Sequence, residues 1–428
     1  MKLERYEAYK DSGVEWIGKV PEGWEARRLG TRFLERKEKV SDKDYPPLSV
    51  TKNGIVPQLE TAAKTNDGDN RKLVKIGDFV INSRSDRKGS SGVSKLDGSV
   101  SLINIVLEPQ NIHSNFCNYL LKSNGFIEEF YRNGHGIVAD LWTTRFWDMK
   151  SIVLALPKEQ EQTKIANYLD QKTAQIDKAI TQKEKLIKLL KERRQILIND
   201  AVTKGVDKNV KMKDSGVEWI GEVPEGWEVK KLKFIIKNKL KYGANESGIE
   251  YNKNLPRYVR ITDFSDSGKL SEKNKLSLSW DKGKDFLLND GDILFARSGA
   301  TVGKTYQFKK SMSQEKFYSF AGYLIKAEVN EQIILSDYLY LFTNSDVFES
   351  WKEHIFNKAT IENIGADKYS ELFITIPSLQ EQEEILDKYN INGTKIDKAI
   401  TLQQKQIEKL KEYKATLIDS VVTGKVKV

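Results

Sequence analysis

The stretch KDSGVEWIGKVPEGWE, Lys10 to Glu25, is written again as KDSGVEWIGEVPEGWE from Lys213 to Glu228, with Lys19 replaced by Glu222. A second repeat lies downstream: Ile176 to Thr181 and Ile396 to Thr401 both read IDKAIT. Each follows a proline and a Glu-Gln pair, Pro157, Glu161 and Gln162 in the first copy and Pro377, Glu381 and Gln382 in the second. The chain is one unit written twice. The offset grows from 203 residues at the first motif (213 − 10) to 220 at the second (396 − 176), so the second mixed segment is longer by 17. A duplication on this scale predicts a pseudo-twofold molecule rather than a solenoid.

The segments after the Glu-Gln pairs carry a heptad seam. Leu169, Ile176, Ile180, Ile187, Leu190 and Leu197 recur at steps of three, four and seven residues in a Lys, Glu and Gln background. Ile396, Ile400, Ile407, Leu410, Leu417 and Val421 repeat the pattern, which predicts two long helices. A proline precedes each and a glycine follows, Gly205 and Gly424, the punctuation of helix ends. About 45 residues at 1.5 Å per residue give about 65 Å for each helix. The second module starts where the first helix ends, so compact packing makes the helices antiparallel, a two-helix coiled coil with one module at each end. Alternatively, each helix docks on its own module or joins another chain's bundle.

The mixed segments read as short strands punctuated by Gly, Asp, Asn and Ser, such as Gly77-Asp-Phe-Val-Ile-Asn and Gly291-Asp-Ile-Leu-Phe-Ala. Helical stretches such as Ser336 to Trp351 are interspersed, so the fold class is α+β. The expected division is module one at 1–157, a helix at 158–205, module two at 206–376 and a second helix at 377–428. Between their shared ends the modules differ greatly, so common ends serve as scaffold and differing middles meet different ligands.

The 428 residues exceed one hydrophobic core. Charged residues make up 31% and the net charge is +9, with a pI near 9.1, a balance that favours a polyanionic partner. Cys117 is the only cysteine, so neither an intrachain disulfide nor a thiolate zinc site can form. The N-terminus is polar and no apolar run reaches the roughly 20 residues that span a bilayer; a cytoplasmic protein with no membrane partner is expected.

Catalytic motifs fail on inspection. Ser298-Gly-Ala-Thr-Val-Gly303-Lys304-Thr305 ends like a phosphate-binding P-loop but has Ser298 at the first glycine and a polar stretch after the Lys-Thr. The one Pro-Pro, in Asp44-Tyr-Pro-Pro-Leu, lacks the flanks of an adenine-extruding methyltransferase loop. His113, His135 and His354 are scattered without i, i+4 partners, so no metal site is expected. No Glu-x-Lys nuclease arrangement follows a convincing acidic pair, so no catalytic residue is assigned. Trp16 with Trp24, and Trp219 with Trp227, lie in the near-identical ends and read as core.

What remains is a basic polar loop after each Gly-Asp strand. One is Ser83-Arg84-Ser85-Asp86-Arg87-Lys88-Gly89; the other is Arg297-Ser298-Gly299-Ala300-Thr301-Val302-Gly303-Lys304. Arginine can engage guanine O6 and N7 together, and Ser and Thr can donate to bases or phosphates. The candidate DNA contacts are therefore Ser83, Arg84, Ser85, Arg87, Lys88, Arg297, Ser298, Thr301 and Lys304, with Lys52 and Arg260 as lesser candidates on the same grounds. For any one residue a solvated hairpin loop reads equally well.

At this point the chain resembles the specificity subunits of type I restriction-modification enzymes. The carriers are SGVEWIG-x-VPEGWE in both copies, the Gly291-to-Lys304 stretch, and the exit of proline, Glu-Gln and a long helix with IDKAIT. The resemblance implies two target-recognition domains, each reading half of a bipartite site in double-stranded DNA, separated by an antiparallel helix pair acting as a ruler. It also implies two methyltransferase subunits and motor-nuclease subunits as partners. S-adenosylmethionine, ATP and Mg would then sit on those partners and no cofactor on this non-catalytic chain. Module one departs from the pattern at Ser83-Arg84-Ser85-Asp86-Arg87, which puts a transfer of contacts into that loop in doubt.

Overall fold

In the computed structural model the repeated entrance folds twice into the same antiparallel hairpin, Tyr9–Asp11 on Lys19–Pro21 and Met212–Asp214 on Glu222–Pro224. Asp11 Oδ1 accepts from Gly13 N at 2.9 Å, and Asp214 Oδ1 from Gly216 N at 2.9 Å. Gly18 and Gly221 stand at φ 70° and 74°, where any side chain would be strained. Ile17, Val20 and Trp24 are buried in one copy, and Ile220, Val223 and Trp227 in the other. Immediately afterwards Glu25–Arg28 pairs with Val153–Leu156, and Glu228–Lys231 with Phe373–Ile376. The first and last strands of each module thus lie side by side.

The structure describes all residues except 1–3, 62–66, 137–141, 208, 266–269, 300, 313 and 357–362. It divides into two units, residues 1–184 with 404–428 and residues 185–403.

In the first unit a four-stranded antiparallel sheet runs in the order Ser91–Val93, Phe79–Asn82, Asn104–Pro109, Phe33–Glu35. A three-stranded sheet of Gly98–Val100, Arg71–Val74 and Lys39–Val40 and the hairpin Leu48–Thr51 with Gly54–Pro57 accompany it. In the second unit the orders are Lys241–Tyr242, Leu324–Ala327, Ile293–Ala296, Thr305–Gln307, and Ile249–Glu250, Leu276–Ser277, Arg257–Val259, Tyr318–Phe320. The last two of these strands pair in parallel. Each unit adds short helices, and both are α+β.

The helical stretch expected from Ser336 to Trp351 is corrected to two helices, Ser336–Phe342 and Asp346–Phe356. The physical reason is Ser345, whose buried hydroxyl accepts from Phe348 N at 3.3 Å and caps a new helix. The Gly-Asp pairs are turns that aim a strand: Gly77 and Gly291 take φ 94° and 85°. Asp78 and Asp292 each accept a backbone N–H three residues back at 2.8 Å and meet a cation, Arg36 at 2.8 Å and Lys326 at 3.2 Å.

The long helices are Glu159–Thr203 and Leu379–Val422, and the division between units falls inside both. Within the first unit Asp177 pairs with Lys414 at 2.7 Å and Lys183 Nζ donates to Gln406. Within the second, Arg194 pairs with Asp397 at 3.2 Å and Lys388 Nζ donates to Val206 O at 3.1 Å. Numbers rise along one helix as they fall along the other, so the pairing is antiparallel in each unit. Leu169, Ile176, Ile180, Ile396, Ile407, Leu417 and Val421 are buried, and Ile187, Leu190, Leu197, Ile400 and Leu410 are partly buried. Gly205 and Gly424 end the helices at φ 71° and 74°. No described helix is long and apolar enough to cross a membrane.

Each unit therefore holds the start of one helix and the end of the other, and both make specific bonds to its module. At the start, buried Gln162 accepts from His113 N at 2.8 Å and donates to Pro157 O at 2.9 Å. Gln382 likewise accepts from Leu335 N at 2.7 Å and donates to Pro377 O at 3.0 Å. At the end, Asp419 accepts from Asn124 N at 2.8 Å and Asn199 from Asp346 N at 2.7 Å, each capping a module helix. Gln382→Leu orphans a buried N–H. It should destabilise the second unit by about 1–3 kcal/mol in urea unfolding, while exposed Gln380→Leu shifts it by less than about 0.5 kcal/mol.

A buried ion cluster supports the second module. Arg257, 1% exposed, meets Glu315 and Glu272 at 3.3 Å, and Lys275 meets both carboxylates at 2.9 Å. Burial opposes ionisation of Glu315, but hydrogen bonds from Tyr318 and Lys275 and the charges of Arg257 and Lys275 hold its carboxyl down at about 2. A carboxyl depressed in the folded state stabilises fully above its ordinary value of 4.5, and that contribution fades as pH falls through about 2. The urea midpoint should drop between pH 5 and pH 3, and less steeply in Glu315→Gln.

Candidate nucleic-acid interface

Strands Phe79–Asn82 and Ile293–Ala296 each deliver a basic loop, and both loops are zipped to the segment before the module's last short helix. Thr144 N donates to Ser83 O and Ile364 N to Arg297 O, both at 3.0 Å; the next residues, Arg84 and Ser298, bridge to Thr143 and Asn363. The place of Arg297 is thus held in module one by Ser83, and that of Ser298 by Arg84. The two loops carry different side chains on one backbone frame.

In module one Ser83 is buried, while Arg84 is exposed with its N–H donated to Asn82 Oδ1 at 3.0 Å. Ser85 N donates to Trp142 O at 3.1 Å and begins a 3₁₀ turn through Arg87. Arg87 is exposed beside Asp86 at 3.6 Å, and Lys88 pairs with Glu128 at 2.6 Å, contacts weak enough in water to exchange for phosphate. Lys52 is exposed in the turn of the Leu48–Pro57 hairpin, its carbonyl accepting from Lys122 Nζ at 2.9 Å. Lys52 and Arg87, 35 positions apart in sequence, line one cleft of about 760 Å³, with Arg71, Asn82 and Asn104 also in its walls. Arg84 and Lys88 sit on the same loop outside that lining.

In module two Arg297 is half-buried, its N–H donated to Tyr323 O at 2.9 Å and its guanidinium 5.1 Å over the Tyr242 ring. Tyr242 is itself fixed, its hydroxyl accepting from Ala366 N at 2.9 Å, and Tyr323 is 65% exposed. Lys304 is exposed, Ser298 and Thr301 half-buried, and Lys304 N donates to Thr301 O at 3.0 Å; Ala300 lies outside the described residues. After Lys304 comes the strand Thr305–Gln307, where a phosphate loop needs a helix N-terminus, so the P-loop reading falls. Arg260 spends its donors on Asp263 at 2.9 and 3.2 Å and on Asn274 O at 2.9 Å, capping the 3₁₀ turn Ile261–Asp263.

Trp24 and Trp227 are buried, and half-buried Trp219 packs on His354 with ring centroids 4.9 Å apart, as scaffold residues do. Among the described residues no group of three His, Cys, Asp or Glu side chains is placed to hold a metal ion. Sequence reasoning passed over Arg71, Tyr242 and Tyr323. Only the Lys-Leu-Lys-Tyr run at 239–242, basic residues interleaved with an aromatic, signals any of them.

Residues 224–412 match the family described as type I restriction modification DNA specificity domain. The chain is 25% identical over 435 residues to the type I restriction enzyme MjaVIII specificity subunit of Methanocaldococcus jannaschii, covering 96% of this chain and 94% of that one. It is 23% identical to the StySPI specificity subunit of Salmonella potsdam, covering 86% and 82%. Its fold resembles that of a chain solved in work on complex assembly and conformational transition of the type I R-M system. That match has a TM-score of 0.70 at 15% identity and covers 94% of this chain and 98% of that one. The HsdS subunit of Thermoanaerobacter tengcongensis matches at a TM-score of 0.52 and 16% identity, over 95% and 98%. With the duplicated frame and the antiparallel helix pairing, the chain is similar to type I restriction-modification specificity subunits over nearly its whole length, and its residues 224–412 match their DNA specificity domain.

Proposed function

We propose that this chain recognises a bipartite site in double-stranded DNA, one module per half-site, and directs adenine methylation or restriction by partner subunits without chemistry of its own. The observation that carries the reading is one frame used twice around different middles, in a chain similar to specificity subunits over nearly its whole length. Near-identical entrances and matching strand pairings and glutamine ties hold modules whose loops differ, as a device for two ligands requires. Loop side chains meet base edges, and Lys52, Arg84, Arg87 and Lys304 neutralise phosphates, positioning the DNA without specifying it. Modules at 1–157 and 206–376 are the recognition domains, and helices at 158–205 and 377–428 set their spacing. Two methyltransferase subunits and motor-nuclease subunits complete the assembly, bringing S-adenosylmethionine, ATP and Mg, in the cytoplasm.

Single-molecule sequencing of genomic adenine methylation, in cells making the chain with its methyltransferase subunit, should reveal one split motif that disappears on deletion. Exchanging residues 30–150 for another module should change one half-site only. No motif from an assembled complex, or metal-dependent cleavage by the purified chain alone, would refute the reading. Inserting one heptad into both long helices should add about 10 Å, near three base pairs, to the unread spacer; an unchanged spacer would refute the ruler.

A further inference from the structure

We infer that the cleft of module one takes the acceptor edge of a guanine in its half-site, with Arg71 on the cleft wall as the reading group. The inference rests on the DNA-recognition reading and deepens it. Arg71 lies in the middle strand of the three-stranded sheet and is 4% exposed. Its Nε donates to Ser99 Oγ at 2.8 Å and its Nη2 to Ser99 O at 3.1 Å, while Ser99 Oγ donates onward to Tyr45 O at 2.9 Å. These neutral partners fix the guanidinium plane, and among the described residues Nη1 and one Nη2 hydrogen have no partner.

The contrast with module two is what gives this arrangement meaning. Arg257 is buried to the same degree in a comparable strand but has two carboxylates, Glu315 and Glu272, against it. Arg71 makes no ion pair among the described residues, and burial lowers its pKa while the charge of Asp42 acts in the opposite direction. A buried cation without an ion-pair partner is costly unless a ligand supplies acceptors. Guanine O6 and N7 present two acceptors at the spacing of a guanidinium edge.

The rest of the lining favours a base over a phosphate. Leu48, Val50 and Leu59 form apolar walls, which suit the face of a base and not a phosphate. Lys52 and Arg87, exposed in the same cleft, are the phosphate contacts. Arg71 also belongs to the middle of module one, where the two modules differ.

The test reads the adenine methylome of cells making the full chain, wild type or variant, with its methyltransferase subunit, and assigns the first half-site by exchanging residues 30–150. The wild-type half-site should contain a G·C pair whose preference falls roughly 5- to 150-fold in Arg71→Lys and Arg71→Gln, with the second half-site unchanged. Leu59→Trp, at a wall residue 46% exposed, should fill the cleft and lower methylation while leaving the melting temperature of the purified chain unchanged. If Arg71→Gln melts early, Arg71→Lys and Leu59→Trp decide alone. A first half-site without a G·C pair, base preferences unmoved in Arg71→Lys, or a uniform loss with preferences intact, as a phosphate contact would give, overturns the inference and leaves the recognition reading standing. A wild type with no split motif overturns both.

Discussion

Everything in this protein hangs on the antiparallel pairing of each module's first strand with its last, Glu25–Arg28 with Val153–Leu156 and Glu228–Lys231 with Phe373–Ile376. Because the chain leaves each module beside where it entered, the segment between can change without moving the exit. The buried glutamines enforce the direction of that exit. Gln162 and Gln382, buried in the first turn of each long helix, accept from the cap of a module helix at His113 N and Leu335 N and donate back to the proline that precedes the long helix, at Pro157 O and Pro377 O. Asn199 and Asp419 likewise accept from a module helix at the far end of the other helix. A module is thus held by two helices that begin in different copies of the repeat, and the duplication is structural as well as textual.

The two middles spend their charge differently. Module two buries Arg257 among carboxylates and closes Arg260 on Asp263, so both arginines serve the fold. Its Arg297 is instead held by an aromatic ring, which fixes a guanidinium without consuming its donors. Module one keeps exposed cations on its loop and hairpin, and sets Arg71 behind them on neutral partners alone. Net charge counts all these residues equally. Their partners decide which remain available to a polyanion.

The repeat, the heptad seam and the glycine stops were legible in the sequence because local rules govern them: a period of three and four, a left-handed turn, a proline before a helix. The identical words KDSGVEWIG fold into identical hairpins for that reason. The break in the helix at Ser345 was less legible, because a buried serine capping a new helix competes with an uninterrupted apolar pattern. Of the candidate contacts, Lys52 and Arg87 come together in one cleft, Ser83 turns inward, and Arg260 is spent on a neighbour.

By itself the sequence determined a duplicated chain with two long helices, α+β modules and differing middles, since each follows from periodicity, turn chemistry and comparison of the copies. Only the tertiary structure decided which cations face an open cleft and which are neutralised, because partners such as Glu315 for Arg257 or Ser99 for Arg71 lie 58 and 28 residues away. No local rule pairs residues across such distances. The long-range pairing of strands does.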